Sequence, residues 1–240
     1  MRTMIVSHVW DAEYPWDIRV EKISRALVAD GHRVDIIARN RDHRDTLELL
    51  PEGTVHRFPW WSWIGPGLNG FSQFPAFFNP RWLGLIDRTV RASGTNVLLC
   101  RDLPLAPAAI HVAKARGIPM VLDMAENYPA MIRDTWRFGS PRLWDGLVRN
   151  PMLAGAVERW VVRNAAHILV VVEESRSRIL KLGVPRDRVT VVSNTPPRRQ
   201  LGPFPERRRA TGAVLELVYV GQLDSPMRGG DVLLKAVAKC

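Results

Sequence analysis

Short apolar runs alternate with stretches of helical periodicity along most of this chain, and that alternation limits the fold more than any other feature. Residues 4–9, 33–38, 54–58, 96–100, 120–123, 167–172 and 188–192 read as strands. Between them, residues 17–30, the region near 104–116, and residues 129–137, 141–164 and 173–182 read as helices. The helix over 17–30 is expected to start at Asp17 as its cap, to turn Ile23 and Leu27 inward, and to stop at Gly31. Runs such as Val97-Leu-Leu and Ile168-Leu-Val-Val-Val are apolar without alternation, as strands buried on both faces are. The expected fold class is α/β: a Rossmann-like parallel sheet with helices on both faces, followed by a truncated second Rossmann-like domain. The boundaries read as a domain over 1–195, a Pro/Arg-rich linker over 196–213, and the start of a second domain over 214–240. Residues 196–211 hold four prolines and five arginines against the single acid Glu206. The strand–helix unit that follows cannot bury its own apolar faces, so a continuing domain is expected.

Composition narrows the class of partner. The chain has 240 residues, 34 Lys+Arg against 24 Asp+Glu, and a formal charge of +10. Such an excess favours acidic partners: nucleic acid, anionic lipid or a phosphorylated ligand. Two cysteines, Cys100 and Cys240, make neither a disulfide framework nor a metal cluster, and a reducing cytoplasm is the expected compartment. Histidines 8, 32, 43, 56, 111 and 167 lack metal-ligand spacing, so no metal is expected. No run is long enough for a secretory signal or a membrane-spanning helix. Recognition-helix, zinc and RNA-sheet signatures are absent, so nucleic acid is not an expected partner.

Four features carry candidate chemistry. Ligands of parallel sheets sit beyond the carboxyl ends of the strands. Reading each end gives His8, Trp10 and Asp11; Arg101 and Asp102; Asp123, Glu126, Asn127 and Tyr128; Glu173 and Glu174; and Asn194. Taken singly, Asp102 and Glu173 also read as helix caps. The turn 221–230 joins a strand to a helix, and its backbone N–H groups can form an anion site with Arg228 beside them; a plain glycine turn is the simpler reading. Residues 58–80 contain no charged side chain and are dense in Trp and Phe. With Arg57 and Arg81 flanking, they read either as a membrane-interface segment led by Trp60, Trp61 and Trp63 or as a loop packed beneath the domain. The arginines 133, 137, 142, 149, 159 and 163 suit either an acidic lipid surface or a solvated face.

Four segments, in this order, resemble the family-4-type glycosyltransferases of the retaining, two-domain GT-B architecture. Leu27-Val-Ala-Asp-Gly-His-Arg-Val closes a segment, starting at Asp17, that is similar to the family's first helix, which ends L-x-x-x-G-H-x-V. Val121-Leu-Asp-Met-Ala-Glu-Asn-Tyr-Pro resembles V-x-D-x-H-E-x-Y-P. The stretch from Val172 to Val184, followed by Val191-Val-Ser-Asn-Thr-Pro, resembles a strand–helix–strand ending in a P-N-[GT] turn. Tyr219-Val-Gly-Gln-Leu-Asp-Ser-Pro-Met-Arg-Gly-Gly resembles the V-G-R-L-x-x-x-K-G opening of the donor domain.

The resemblance implies transfer of a sugar from a nucleotide-sugar, a co-substrate rather than a cofactor, to a sugar, lipid-linked or polyol acceptor. Surface polysaccharide or glycolipid synthesis is the implied setting, in the cytoplasm or on the inner face of the cytoplasmic membrane, with an anionic membrane surface as a further partner. No cofactor or metal is required. Gly221, Gln222, Arg228 and Gly229 stand where the donor phosphates are bound. Glu126, Asn127 and Asp102 are the cleft candidates for catalysis. Asp11, Tyr14, Tyr128, Glu173 and Asn194 are placed on the acceptor side. Departures accompany the likeness: Ala125 replaces the family's His, Gln222 replaces its Arg, Tyr14-Pro-Trp-Asp replaces a Gly-Gly loop, and the E-x7-E donor motif is absent. They leave a second reading open, a non-catalytic acceptor-binding or membrane-associated module without its donor domain. The 240 residues alone are expected to be a fragment inactive in transfer.

Overall fold

The computed structural model describes residues 3–15, 17–62, 65–72, 77–138, 150–195, 217–220 and 229–239. The chain runs β1 (Ile5–Val9), α1 (Ile18–Ala29), β2 (Arg33–Ala38), β3 (Leu47–Leu50), β4 (Gly53–Arg57), α2 (Pro66–Phe71), α3 (Pro80–Ser93), β5 (Val97–Arg101) and α4 (Ala106–Arg116). It continues through β6 (Met120–Met124), α5 (Tyr128–Phe138), α6 (Pro151–Asn164), β7 (His167–Val170), α7 (Glu173–Lys181), a short 3-10 turn (Arg186–Arg188), β8 (Val189–Val191) and α8 (Gly230–Val237). One eight-stranded sheet has the order β3-β4-β2-β1-β5-β6-β7-β8. Every pairing is parallel except that of β3, which lies antiparallel on β4 at the edge.

Strand parity distributes the core between the two faces. Ile37, Val9, Leu98, Cys100, Leu122, Met124 and Ile168 belong to the larger cluster, which takes Trp82 and Ile86 from α3, Ile110 from α4 and Val161 from α6. Val34, Ile36 and Ala38 of the same β2 meet Val55 and Val20 of α1 in a second cluster. Each fully buried side chain of this size stabilises the fold by about 1.5–3 kcal/mol, which is why unalternated apolar strands persist here.

The expected helix 17–30 forms with Asp17 as its cap, accepting from the N–H groups of Arg19 and Val20, and Gly31 follows it at φ 84°. Leu27 packs on the second cluster as expected, but the rest of the inner face differs. Arg19, Val20 and Ser24 are its buried residues, while Ile23 is half-buried. Three elements were not foreseen: β3, α2 and α3. The last carries local signals, with Asn79 capping the N–H of Arg81, Pro80 in the first turn and Gly94 left-handed at the end.

Within the aromatic stretch, Phe58 and Trp82 are buried and meet edge to face at 4.6 Å. Trp61 lies under the Arg81 guanidinium at 3.8 Å, and Trp60 stacks on His43 at 3.7 Å. Arg57 is buried and donates to Tyr14 O and to Glu48, so it does not face a membrane. Trp63 lies outside the described residues, as do the linker 196–213 and most of the turn 221–230. Residues 217–220 carry no strand pairing, and the helix expected beyond the turn is α8.

Candidate functional site

The chain leaves β1 toward β2 on one side, and it returns to β5 on the other side of β1. This reversal places a crevice between the carboxyl ends of β1 and β5, the position where open α/β sheets bind ligands. Trp10 and Asp11 follow β1, and Arg101 and Asp102 end β5. Arg101 is the hub. Its guanidinium lies 3.3 Å from Asp17, 3.4 Å from Asp102 and 4.0 Å from Asp123, and it sits 5.3 Å from the centre of the Trp10 ring. Burial works against its charge, but Asp102, Asp17 and Asp123 together outweigh burial and hold the group protonated. Its Nε and Nη1 and the Trp10 indole Nε1 are buried with no hydrogen-bond partner among the described residues. Arg101 Nε and Trp10 Nε1 are thus left over at this crevice, while Nη1 has only its long ion pairs with Asp102 and Asp123.

Asp102 has the left-handed backbone, φ 61°, and is 2% exposed. It does not cap α4. Its Oδ1 accepts from the N–H groups of Ala125 at 3.0 Å and Glu126 at 3.3 Å. One carboxylate therefore ties the end of β5 to the loop after β6, and this loop carries Glu126, Asn127 and Tyr128. Burial raises the Asp102 carboxyl to about 6, against the pull of Arg101 and of the two N–H groups. Glu126 is exposed and Asn127 spends its Oδ1 on the N–H of Ala130 at the start of α5. The Tyr128 phenol is half-buried and pushed well up by burial, with Asp102 and Asp11 adding to the effect.

On the other side, Asp11 pairs with Arg39 at 2.5 Å, and burial raises its carboxyl although Arg39 opposes this. His8 lies beneath, fully buried, with Nδ1 3.2 Å from Ser24 Oγ and Nε2 without a partner. Burial lowers it to about 4, so it is neutral at physiological pH.

The remaining expected residues are placed apart from this group. Tyr14 is 1% exposed, and its hydroxyl donates to Glu52 at 2.6 Å, which leaves it no free hydroxyl for an acceptor. Glu173 is exposed in the first turn of α7 and meets Arg176 at 3.4 Å. Asn194 is exposed after β8. Gly229 is left-handed at φ 69° and precedes α8, whereas Gly221, Gln222 and Arg228 lie outside the described residues. Arg19 and Arg39 were not foreseen. Arg39 follows the end of β2, where the strand-end rule would have found it. Arg19 had no local signal, because its partner Asp123 is 104 residues away.

Known proteins share this layout. The profile of the glycosyl transferase 4-like domain matches residues 17–195. Sucrose-phosphate synthase from Thermosynechococcus elongatus superposes with TM-score 0.55 at 12% identity, over 79% of this chain and 48% of that one. UDP-GlcNAc 2-epimerase from Neisseria meningitidis, bound to UDP-GlcNAc, gives 0.50 at 16% identity over 78% and 45%. LpCGTa in complex with UDP gives 0.51 at 12% identity over 80% and 53%. The chain thus spans about half the length of these structures, and at such identities the likeness is one of fold. No curated protein matches the sequence. The sheet is that of a GT-B, Rossmann-like fold, and since the profile runs over more than half of the sequence, the chain belongs to the glycosyl transferase 4-like domain family.

Proposed function

We propose that the protein serves a glycosyltransferase that moves a sugar from a nucleotide-sugar to a hydroxyl-bearing acceptor held beyond β1 and β5. The observation that carries this reading is the group Trp10–Arg101–Asp102 at the switch point of a sheet matched by the family profile. The unpaired donors of Arg101 and Trp10 suit the oxygens of a polyol or sugar acceptor, which accept hydrogen bonds without adding charge. Asp102 acts through the loop it holds and is a positioning residue; Glu126 on that loop is an exposed carboxylate and the candidate to face the acceptor. In the transfer, the bond from the anomeric carbon to the diphosphate breaks and a bond to the acceptor oxygen forms. The acceptor proton leaves with the departing phosphate. Orientation of the acceptor and stabilisation of the diphosphate supply most of the rate. The turn 221–230 with Arg228 is the proposed phosphate site, and retention of configuration follows from the family resemblance.

Two similar structures are named with UDP or UDP-GlcNAc, so UDP-sugars are the first donor class to try. The setting we propose is surface polysaccharide or glycolipid synthesis at the cytoplasmic face of a membrane, in keeping with the charge of +10. Titration calorimetry of the protein joined to a complete donor domain with UDP-sugars, followed by acceptor panels scored for released nucleoside diphosphate, tests the reading. Binding with acceptor-dependent release is expected. No heat at millimolar donor would overturn it.

Ala125, at the position of the family's His, favours a second reading: an acceptor-binding module that does not catalyse. Acceptor binding with no nucleotide release under any donor would select it.

A further inference from the structure

Helices α5 and α6 pack on one another, and besides the side chains that α6 gives to the core they turn further apolar side chains outward. Met131, Trp136 and Phe138 on α5 are exposed, as are Met152, Leu153 and Trp160 on α6, with Met152 at 82%. Phe78 meets Trp160 at 6.4 Å, so the apolar surface extends beyond the helix pair. Basic side chains are interleaved with it. Arg133 and Arg137 are exposed on α5, Arg159 and Arg163 on α6, and Lys114 of α4 lies 5.9 Å from the Trp160 ring centre. On α6, Met152, Arg159, Trp160 and Arg163 recur at helical spacing and share one side, and such a mixture of apolar, aromatic and basic side chains suits a membrane interface, with the long basic side chains reaching to the headgroups.

A cavity of about 400 Å³ opens on the same face. Its walls include Asn127, Arg133, Gly155, Arg159 and Met152, and Glu158 and Arg178 also line it. Glu158 Oε2 takes Arg178 at 2.7 Å, which neutralises that pair. Arg133 and Arg159 have no ion pair among the described residues, so two guanidinium groups face the cavity uncompensated. Glu158 is 4% exposed and its Oε1 has no hydrogen-bond partner among the described residues. A buried carboxylate oxygen in this state calls for a donor, and a bare anion offers none.

We infer that this face seats the protein on an anionic bilayer, with the cavity taking a lipid headgroup that carries both a phosphate and a hydroxyl. The phosphate meets Arg133 and Arg159, the hydroxyl donates to Glu158 Oε1, and the apolar side chains enter the acyl boundary. Charge selects the occupant: a protein of +10 with this arginine cluster is complementary to anionic lipid. The inference deepens the membrane part of the proposed function and is independent of the transfer reaction, because vesicle binding is read without donor or acceptor.

The test is flotation of the full chain with phosphatidylcholine vesicles, with and without phosphatidylglycerol. Binding that requires phosphatidylglycerol and fades with salt is expected. The double variant Arg133→Gln/Arg159→Gln should lower the partition by about fivefold per arginine. Trp136→Ser/Trp160→Ser should lower it without changing the circular dichroism. Free glycerol phosphate should compete weakly, since it lacks the apolar half of the contact; full release by it would show a soluble phosphate site and overturn the bilayer. Equal flotation with pure phosphatidylcholine, or arginine variants that bind as the parent does, would also overturn it. A self-associated chain that the tryptophan variant dissolves, with no vesicle binding, would assign the face to a second copy. If vesicles fail while UDP-sugar binding persists, the headgroup site falls and the glycosyltransferase reading stands.

Discussion

Arg19 of α1 closes a bidentate ion pair on Asp123 of β6, with Nη2 2.5 Å from Oδ1, and the two side chains are 1% and 0% exposed. The same guanidinium donates through Nη1 to Val192 O at 2.8 Å. One side chain thus joins the helix after β1 to β6 and to the segment after β8. These are the parts that carry the crevice.

Removing one partner should be costly, because the other is left charged and dry. Arg19→Leu is expected to destabilise the protein by about 3–5 kcal/mol, whereas Arg19→Met/Asp123→Leu recovers most of the loss. Urea midpoints of the single and double variants check this. A loss below about 1 kcal/mol for the single variant would show that water or another group compensates Asp123.

Asp102 separates backbone from side chain. At φ 61° glycine is favoured over alanine by about 1 kcal/mol, so Asp102→Gly should be the more stable of the two. Both lose the acceptor for the Ala125 and Glu126 N–H groups, and those amides should exchange faster in both. Asp102→Asn keeps an acceptor oxygen and should retain their protection. Hydrogen exchange at the two amides distinguishes the cases, and fast exchange in Asp102→Asn would count against the clamp.

His8 and Asp102 should oppose each other in acid. The His8 imidazole is lowered from 6.5 to about 4, so the unfolded chain takes the proton first. Its contribution is complete above pH 6.5 and is lost as the pH falls toward 4, about 3 kcal/mol in all. Asp102 is raised from 3.8 to about 6, so the folded state takes the proton first and gains stability as the pH falls through 6 toward 4. Relative to the parent, His8→Leu should gain about 3 kcal/mol between pH 6.5 and 4 in denaturant titrations. A difference that stays flat across that window would mean His8 is not held neutral.

Arg228 carries the prediction for the donor side. In the full chain, Arg228→Ala should weaken nucleotide-sugar binding by about 1.5–3 kcal/mol, the scale of a charge-assisted contact. Unchanged affinity by calorimetry would remove its phosphate role.

What was legible in the sequence follows its local physics. The strand–helix alternation, the Asp17 cap and the Gly31 stop depend on neighbours within a few residues, and they stand where expected. The strand-end rule collected His8, Trp10, Asp11, Arg101, Asp102 and Asp123, because parallel strands deliver their carboxyl ends to one edge. The family resemblance put Tyr14 on the acceptor side, but its side chain turns to Glu52. The stretch 58–80 reads from sequence as either a membrane segment or a packed loop; Trp61 is covered by Arg81, and exposed aromatic side chains are Phe78 within it and Trp136, Phe138 and Trp160 on α5 and α6.

The sequence by itself therefore determined the class of fold, most of its strands and helices, and which polar residues the parallel strands carry to one edge, since hydrophobic period and capping chemistry are properties of short segments. Only the tertiary structure decided the strand order, the Arg19–Asp123 pair, the left-handed Asp102 that holds the Ala125–Tyr128 loop, and the arginine-lined cavity between α5 and α6. Each of these depends on groups distant in the chain being dried and brought together. No short window of residues encodes such a juxtaposition, because the energy that selects it arises only when the whole sheet has closed around it.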